Sequence, residues 1–372
     1  MTNFQEIFIG NNRTLRHSGF YETSKYGYQY KYYDNEKFIS EVHYEVEISC
    51  TKHKDSNGFI YKIDRKQIYI NKNEPDLLVE QLLDRCAKVI FPLKLVVTKE
   101  GKLSKIENHN EIVERWQQIK KEIASYYYSK VSYQILNIVQ RNILNEDMLL
   151  QSLKKDWLFH LYFQELYSEY SIGKPHINIW ESPIFGNKLI DYEVEHCIEE
   201  YYTATNKIII NAKGTSIDQR SLKEILGGFN FPQAKMQGMQ YDPVKSQMDV
   251  QYKLYQEDRS IFSINAMYNT TIDENSNRIQ KITLYRLVNN ENYRPKGIYQ
   301  KQDRKYVGQN FTHQSVKDET PIQSSTARTE QKPSETLYTQ ERKTPEFFVE
   351  EIVGHENNSL LKKLVTLLFK KK

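Results

Sequence analysis

Cysteine is nearly absent: the chain has three in 372 residues, Cys50, Cys86 and Cys197, and no CxxC pair. That excludes a disulfide framework and the common zinc-ribbon spacings, and it points to a reducing compartment, read here as the cytoplasm. Glycine (14) and proline (10) are also scarce, which excludes collagen-like and loop-dominated chains. No apolar run approaches the ~18 residues of a membrane-spanning helix, so no transmembrane segment is expected. The start of the chain lacks a basic stretch leading into an apolar one, so a secretory leader is not expected either.

A surplus of one charge is missing from most of the chain. Residues 1–300 carry 39 basic against 38 acidic side chains, and residues 301–372 carry 13 against 10. A nucleic-acid binder concentrates positive charge on its folded part, so nucleic acid is not an expected partner. The phosphate-cradling patterns GxxxxGK[ST] and GxGxxG are lacking, as are HExxH and GxSxG. No cofactor, metal or catalytic residue is therefore assigned, and the balance tips away from an enzyme.

What the chain has in quantity is tyrosine, 28 residues, against seven alanines, a bias toward strands. Tyr26, Tyr28, Tyr30 and Tyr32 alternate with Lys25, Gly27, Gln29 and Lys31, which places the four rings on one face of a strand. Residues 39–71 read as a hairpin. Val42, Tyr44, Val46, Ile48 and Cys50 share one face, and Asp55-Ser56-Asn57-Gly58 makes the turn. A short helix over 75–88 and strands over 92–98 and 102–107 follow.

The period then lengthens to that of helices. Ile112, Trp116, Ile119, Ile123 and Tyr127 form one stripe, and further helices are expected over about 131–144 and 146–170. Alternation returns with Ile190, Tyr192, Val194, His196 and Ile198. A strand at 207–212 leads to a helix capped by Thr215 or Ser216 and stopped at Gly227-Gly228. Strands over 247–256, 260–272 and 278–288 complete this region. Tyr44-Glu45-Val46-Glu47 recurs as Tyr192-Glu193-Val194-Glu195, and the order strand–strand–helix–strand–strand recurs with it. An internal repeat and two similar curved sheets are the expectation.

The expected fold is thus α+β, with two antiparallel β-rich halves around a central helical segment. Its divisions are a first β-rich region (1–108), a helical segment (109–171), a second β-rich region (172–300), a disordered linker (301–344) and a tail peptide (345–372). In the tail an amphipathic helix is expected. Phe347, Phe348, Ile352, Leu360, Leu361, Leu364, Leu367 and Leu368 offer an apolar docking surface, followed by Lys370, Lys371 and Lys372.

Other constellations have bland readings. His196 is expected as a satisfied, partly buried histidine, and its neighbour Cys197 lacks a basic partner. Asp191, Glu193 and Glu195, like Glu45 and Glu47, read as a solvated outer face. Tyr126-Tyr127-Tyr128 and Tyr201-Tyr202 lack the interleaved basic residues of a base-stacking platform. The function expected from these features is a non-enzymatic cytoplasmic scaffold or adaptor. It would join a protein partner or a second copy through the tail, with peripheral membrane contact as a further option for that peptide. Two alternatives accompany it: a carrier holding an apolar ligand in a curved β-sheet cavity, and a hydrolase using the strand carboxylates.

Overall fold

The computed structural model describes residues 5–7, 14–19, 21–54, 57–171, 174–186, 188–240 and 242–287. The fold is α+β, an extended antiparallel sheet with several helices. The chain opens with β1 (Tyr21–Asp34), β2 (Lys37–Lys52), β3 (Phe59–Ile70), α1 (Leu78–Lys88), β4 (Leu93–Val97) and β5 (Leu103–Ile106). The helices α2 (His109–Tyr126), α3 (Lys130–Leu144), α4 (Glu146–Lys154) and α5 (Trp157–Tyr162) follow. The chain then returns to strands: β6 (His176–Phe185), β7 (Lys188–Ile198), β8 (Lys207–Ser216), the short helices α6 (Leu222–Gly227) and α7 (Gln233–Met236), β9 (Ser246–Tyr255), β10 (Ile261–Asp273) and β11 (Ser276–Arg286).

The two β-rich halves are arms of one sheet rather than two sheets. Its order is β5-β4-β3-β2-β1-β11-β10-β9-β8-β7-β6. The join is β1 against β11, with Tyr28 opposite Leu284 and Tyr32 opposite Gln280. The chain therefore starts at the middle of the sheet, runs out to one edge, crosses through the helices to the other edge and works back.

The tyrosine strand behaves as its alternation predicts. Tyr26, Tyr28, Tyr30 and Tyr32 are all buried, the Tyr26 hydroxyl donates to the Ile261 carbonyl at 2.7 Å, and Tyr28 stacks on Tyr44 at 4.5 Å. The β2–β3 hairpin forms as expected, although Asp55 and Ser56 of its turn lie outside the described residues. Ile112, Trp116 and Ile123 turn inward from α2.

Two helix expectations differ. The run over 146–170 is not one helix, because Asp156 interrupts it. Its carboxylate accepts the Leu158 amide at 2.8 Å and the Phe159 amide at 3.4 Å, which starts α5 afresh. Thr215 and Ser216 do not cap a helix; they end β8, where Gly214 pairs with Val194. The helix starts instead at Ser221, whose hydroxyl and the Glu224 carboxylate form a reciprocal capping box. It does stop at Gly228, at φ +83°.

The sheet must curl, and α5 shows how far. Tyr61 of β3 packs on Tyr162 at 6.0 Å, while Trp180 of β6 packs on His160 at 6.1 Å. Those strands are eight places apart in the sheet, which in a flat sheet is roughly 38 Å at ~4.8 Å per strand. A six-residue helix is only about 9 Å long. Only a sheet wrapped around α5 brings both strands to it. Trp157, Leu158, Phe159, His160, Leu161 and Tyr162 are all buried, as required of a helix that is apolar on every side. The expected linker and tail, 301–372, lie outside the described residues.

Candidate functional site

Curling brings the two edge strands to opposite sides of one cleft. Leu103 of β5 lines it from one side, and Asn178, Ile179, Trp180 and Glu181 of β6 line it from the other. The cleft has a volume of about 530 Å³, within the roughly 300–1,000 Å³ of small-molecule sites.

Its floor comes from α5 and the turn after it. Phe159, His160 and Phe163 face the space. Beneath runs a row of edge-on rings: Trp157 to His160 at 5.6 Å, His160 to Trp180 at 6.1 Å, and Trp180 to His196 at 5.0 Å. Burial holds both imidazoles uncharged, pulling His160 down to about 3 and His196 to about 4, the latter helped by neighbouring His176. The His160 Nε2 lies 3.3 Å from the Ser182 hydroxyl. An uncharged aromatic floor is the result.

Charge sits at the rim. Lys102, Lys154 and Lys155 line the cleft with Glu165 and Glu181, and Lys102 pairs with Glu165 at 2.8 Å. Gln164 is held by its side-chain amide, which donates to the His160 carbonyl at 2.6 Å. The α5 side chains are buried inside the curled sheet, and the cleft opens at its seam.

The residues singled out in the sequence fall elsewhere. Glu193 and Glu195 are exposed on the outer face, beside Lys213, Thr215, Asp249 and Met267 in a shallow groove of about 460 Å³. Glu195 is opposite Lys213 in the ladder. In the first arm Glu47 pairs with Lys66 at 2.9 Å and with Lys25 at 3.7 Å, so the solvated-face reading describes these carboxylates. Burial raises Asp191 above the ordinary carboxylate range, with Asp218 and Glu181 adding to it.

His196 is buried, but it is not satisfied: neither ring nitrogen has a hydrogen-bond partner among the described residues. Cys50 and Cys86 are buried thiols pushed up to about 12 by desolvation. Cys197 is raised too, by burial and then by Glu199 and Glu200. Among the described residues no group of three or more His, Cys, Asp or Glu side chains is placed to hold a metal. Tyr127 is buried while Tyr128 is 91% exposed. Phe347, Phe348, Ile352, Leu360, Leu361, Leu364, Leu367 and Leu368 lie outside the described residues.

Sequence reasoning missed the cleft. Its residues come from four separate segments, and only one local signal pointed to it. That signal was Trp157-Leu158-Phe159-His160-Leu161-Tyr162, a stretch with no polar side and so destined for the interior.

No family model matches the chain, and no curated protein does. Among solved structures it is similar to one described as lipid–protein interactions in lipovitellin, with a TM-score of 0.38 and 9% identity over 71% of this chain. The likeness takes in 25% of that chain, so the present chain spans about a quarter of its length.

Two expectations are corrected at this point. The described residues do not build an adaptor for protein–protein interaction. They build a curved antiparallel sheet around buried aromatic clusters, with a cleft at its seam, and this matches the ligand-carrier alternative better. The cytoplasmic assignment goes with the adaptor reading: it rested on few cysteines and an unremarkable start, and neither feature fixes a compartment. No helix among the described residues is long and apolar enough to cross a membrane.

Proposed function

We propose that the protein is a carrier of an amphipathic, lipid-like molecule, held in the seam between β5 and β6. The observation that carries this reading is the cleft itself: two sheet edges drawn together over an uncharged aromatic floor, with lysines at the rim. The apolar part would lie against Phe159, Phe163 and Trp180, and a polar or anionic end would meet Lys154. The test is titration of the full chain with an environment-sensitive fatty-acid probe, with native mass spectrometry of the purified protein for retained lipid. Saturable one-to-one binding is expected. Lys154→Glu should weaken it about tenfold, the value of one lost charge contact of ~1.4 kcal/mol, with the thermal melt unchanged. Absence of saturable binding in the parent chain would refute the carrier reading.

The two arms also read as copies of one unit. Across the sheet, β5-β4-β3-β2-β1 and β10-β9-β8-β7-β6 run in the same sense, with β11 between them. A helical insertion follows the third strand of each arm. Val46 and Val194 both point inward, and Glu45 and Glu193 outward. These features support a tandem duplication as the origin of the sheet. For the tail, the apolar residues between 347 and 368 and the terminal lysines support a peptide that contacts a membrane surface.

A further inference from the structure

The connection between β8 and β9 carries apolar side chains that the fold leaves uncovered. Ile217, Leu226, Phe229, Phe231, Met236 and Met239 are all exposed, Met236 at 72%. Six large apolar residues within 23 positions make a denser exposed run than the pairs at Leu77–Leu78 or Ile177 and Ile179. The segment is also firmly held. Glu224 accepts the Ala234 amide at 2.7 Å, Arg220 donates to the Leu189 carbonyl at 2.8 Å, and the Lys188 ammonium donates to the Leu226 carbonyl.

Charge distinguishes what covers it. The acids of this lobe are turned inward: Asp218 pairs with Arg220 at 2.5 Å, and the Glu224 carboxylate is taken up by Ser221 and Ala234. Lys223 and Lys235 are exposed and make no ion pair among the described residues. Apolar side chains rimmed by uncompensated lysines match an anionic bilayer surface, where rings and thioethers enter the acyl boundary and ammonium groups meet phosphates. The lobe is tied to the cleft wall through Leu189, whose carbonyl accepts from Arg220 and which itself lines the cleft.

We infer that residues 217–239 form a membrane-docking lobe that seats the protein on an anionic lipid surface beside the mouth of its cleft. The role of docking rests on the carrier reading; the docking itself is read without cargo, so the two fail separately. The test is flotation of the full chain with phosphatidylcholine vesicles, with and without phosphatidylglycerol. Binding is expected only with phosphatidylglycerol. Leu226→Ser, Phe231→Ser and Met236→Ser combined should lower the bound fraction about tenfold, with the thermal melt and probe uptake by the cleft unchanged. Lys223→Glu with Lys235→Glu keeps every apolar side chain and should abolish the preference for phosphatidylglycerol, which guards against a triple variant that folds poorly. Three results would overturn the inference: a parent chain that ignores both vesicle types, variants that float as the parent does, or a parent dimer that the triple variant converts to monomer, which would assign the lobe to a second copy.

Discussion

His196 gives a sharp test of the buried row beneath the cleft. The side chain is 2% exposed, neither nitrogen is hydrogen-bonded among the described residues, and its ring packs edge-on against Trp180 at 5.0 Å. Its pKa falls from an ordinary 6.5 to about 4 in the fold, which amounts to about 3 kcal/mol against the charged form. The sign follows from proton uptake. Above pH 6.5 the imidazole is neutral in both states. Between pH 6.5 and about 4 the unfolded chain binds a proton that the folded chain refuses, so stability falls as pH falls. At pH 4.5 this single group should have removed about 2–3 kcal/mol. His17 and His160 act in the same sense, and Asp156, raised to about 6 by burial, acts in the opposite one. All three are common to parent and variant, so the difference between the two proteins isolates His196. In His196→Leu the two unpaired nitrogens, costing about 1–3 kcal/mol, and the ring contact, worth about 0.5–1.5 kcal/mol, both disappear. Urea unfolding at pH 7 should therefore show a change between zero and about 2 kcal/mol of stabilisation. The loss between pH 7 and pH 4.5 should shrink by about 2–3 kcal/mol. An acid loss equal to the parent's, or a destabilisation beyond about 1 kcal/mol at pH 7, would show that the ring has a partner and refute the reasoning.

Two further substitutions probe the sheet and its support. A Cβ on Gly214 would stand 2.8 Å from the Glu193 carbonyl oxygen and 2.9 Å from the Val194 side chain, so Gly214→Ala should cost about 1–3 kcal/mol by thermal melt, and an unchanged melting temperature would contradict this. Asp84→Ala strands the buried Arg65, which it meets at 2.6 Å, and should cost about 3–5 kcal/mol in urea unfolding. Adding Arg65→Met should recover most of that loss, and a double variant no more stable than the single one would place the cost elsewhere.

How much of this could be read beforehand follows from the range of the forces involved. Alternation fixed the faces of β1, β2 and β7, because a half-buried strand needs only its own period to choose sides. Helical stripes located α2 and α3 for the same reason. The Gly228 stop was legible because left-handed backbone favours glycine. The break at Asp156 was not, since a residue that caps one helix is also tolerated inside another. The closure of β1 on β11 was hidden as well, because nothing local records which strands meet across 250 residues. The cleft was less legible still. Lys102, Lys154, Phe163 and Trp180 become neighbours only after the sheet has curled, and each alone reads as ordinary surface or core.

The position of the cleft follows from one topological fact. The chain leaves the sheet at β5 and re-enters at β6, and these are its two ends. An intervening segment with one largely apolar turn, Trp157–Tyr162, must bury that turn against sheet. Burying it on the inner face draws both arms around it, so the edge strands approach each other across their own connection. Edge strands expose unpaired amides and carbonyls, which proteins must cover, shorten or charge. Here β5 is only four residues long, and Asn178 and Glu181 of β6 are among the residues that line the cleft between them. An apolar plug too large to let the edges pair leaves a slot with polar margins and an aromatic base. The same residues that fold the sheet thereby set the chemistry of what can lie in its seam.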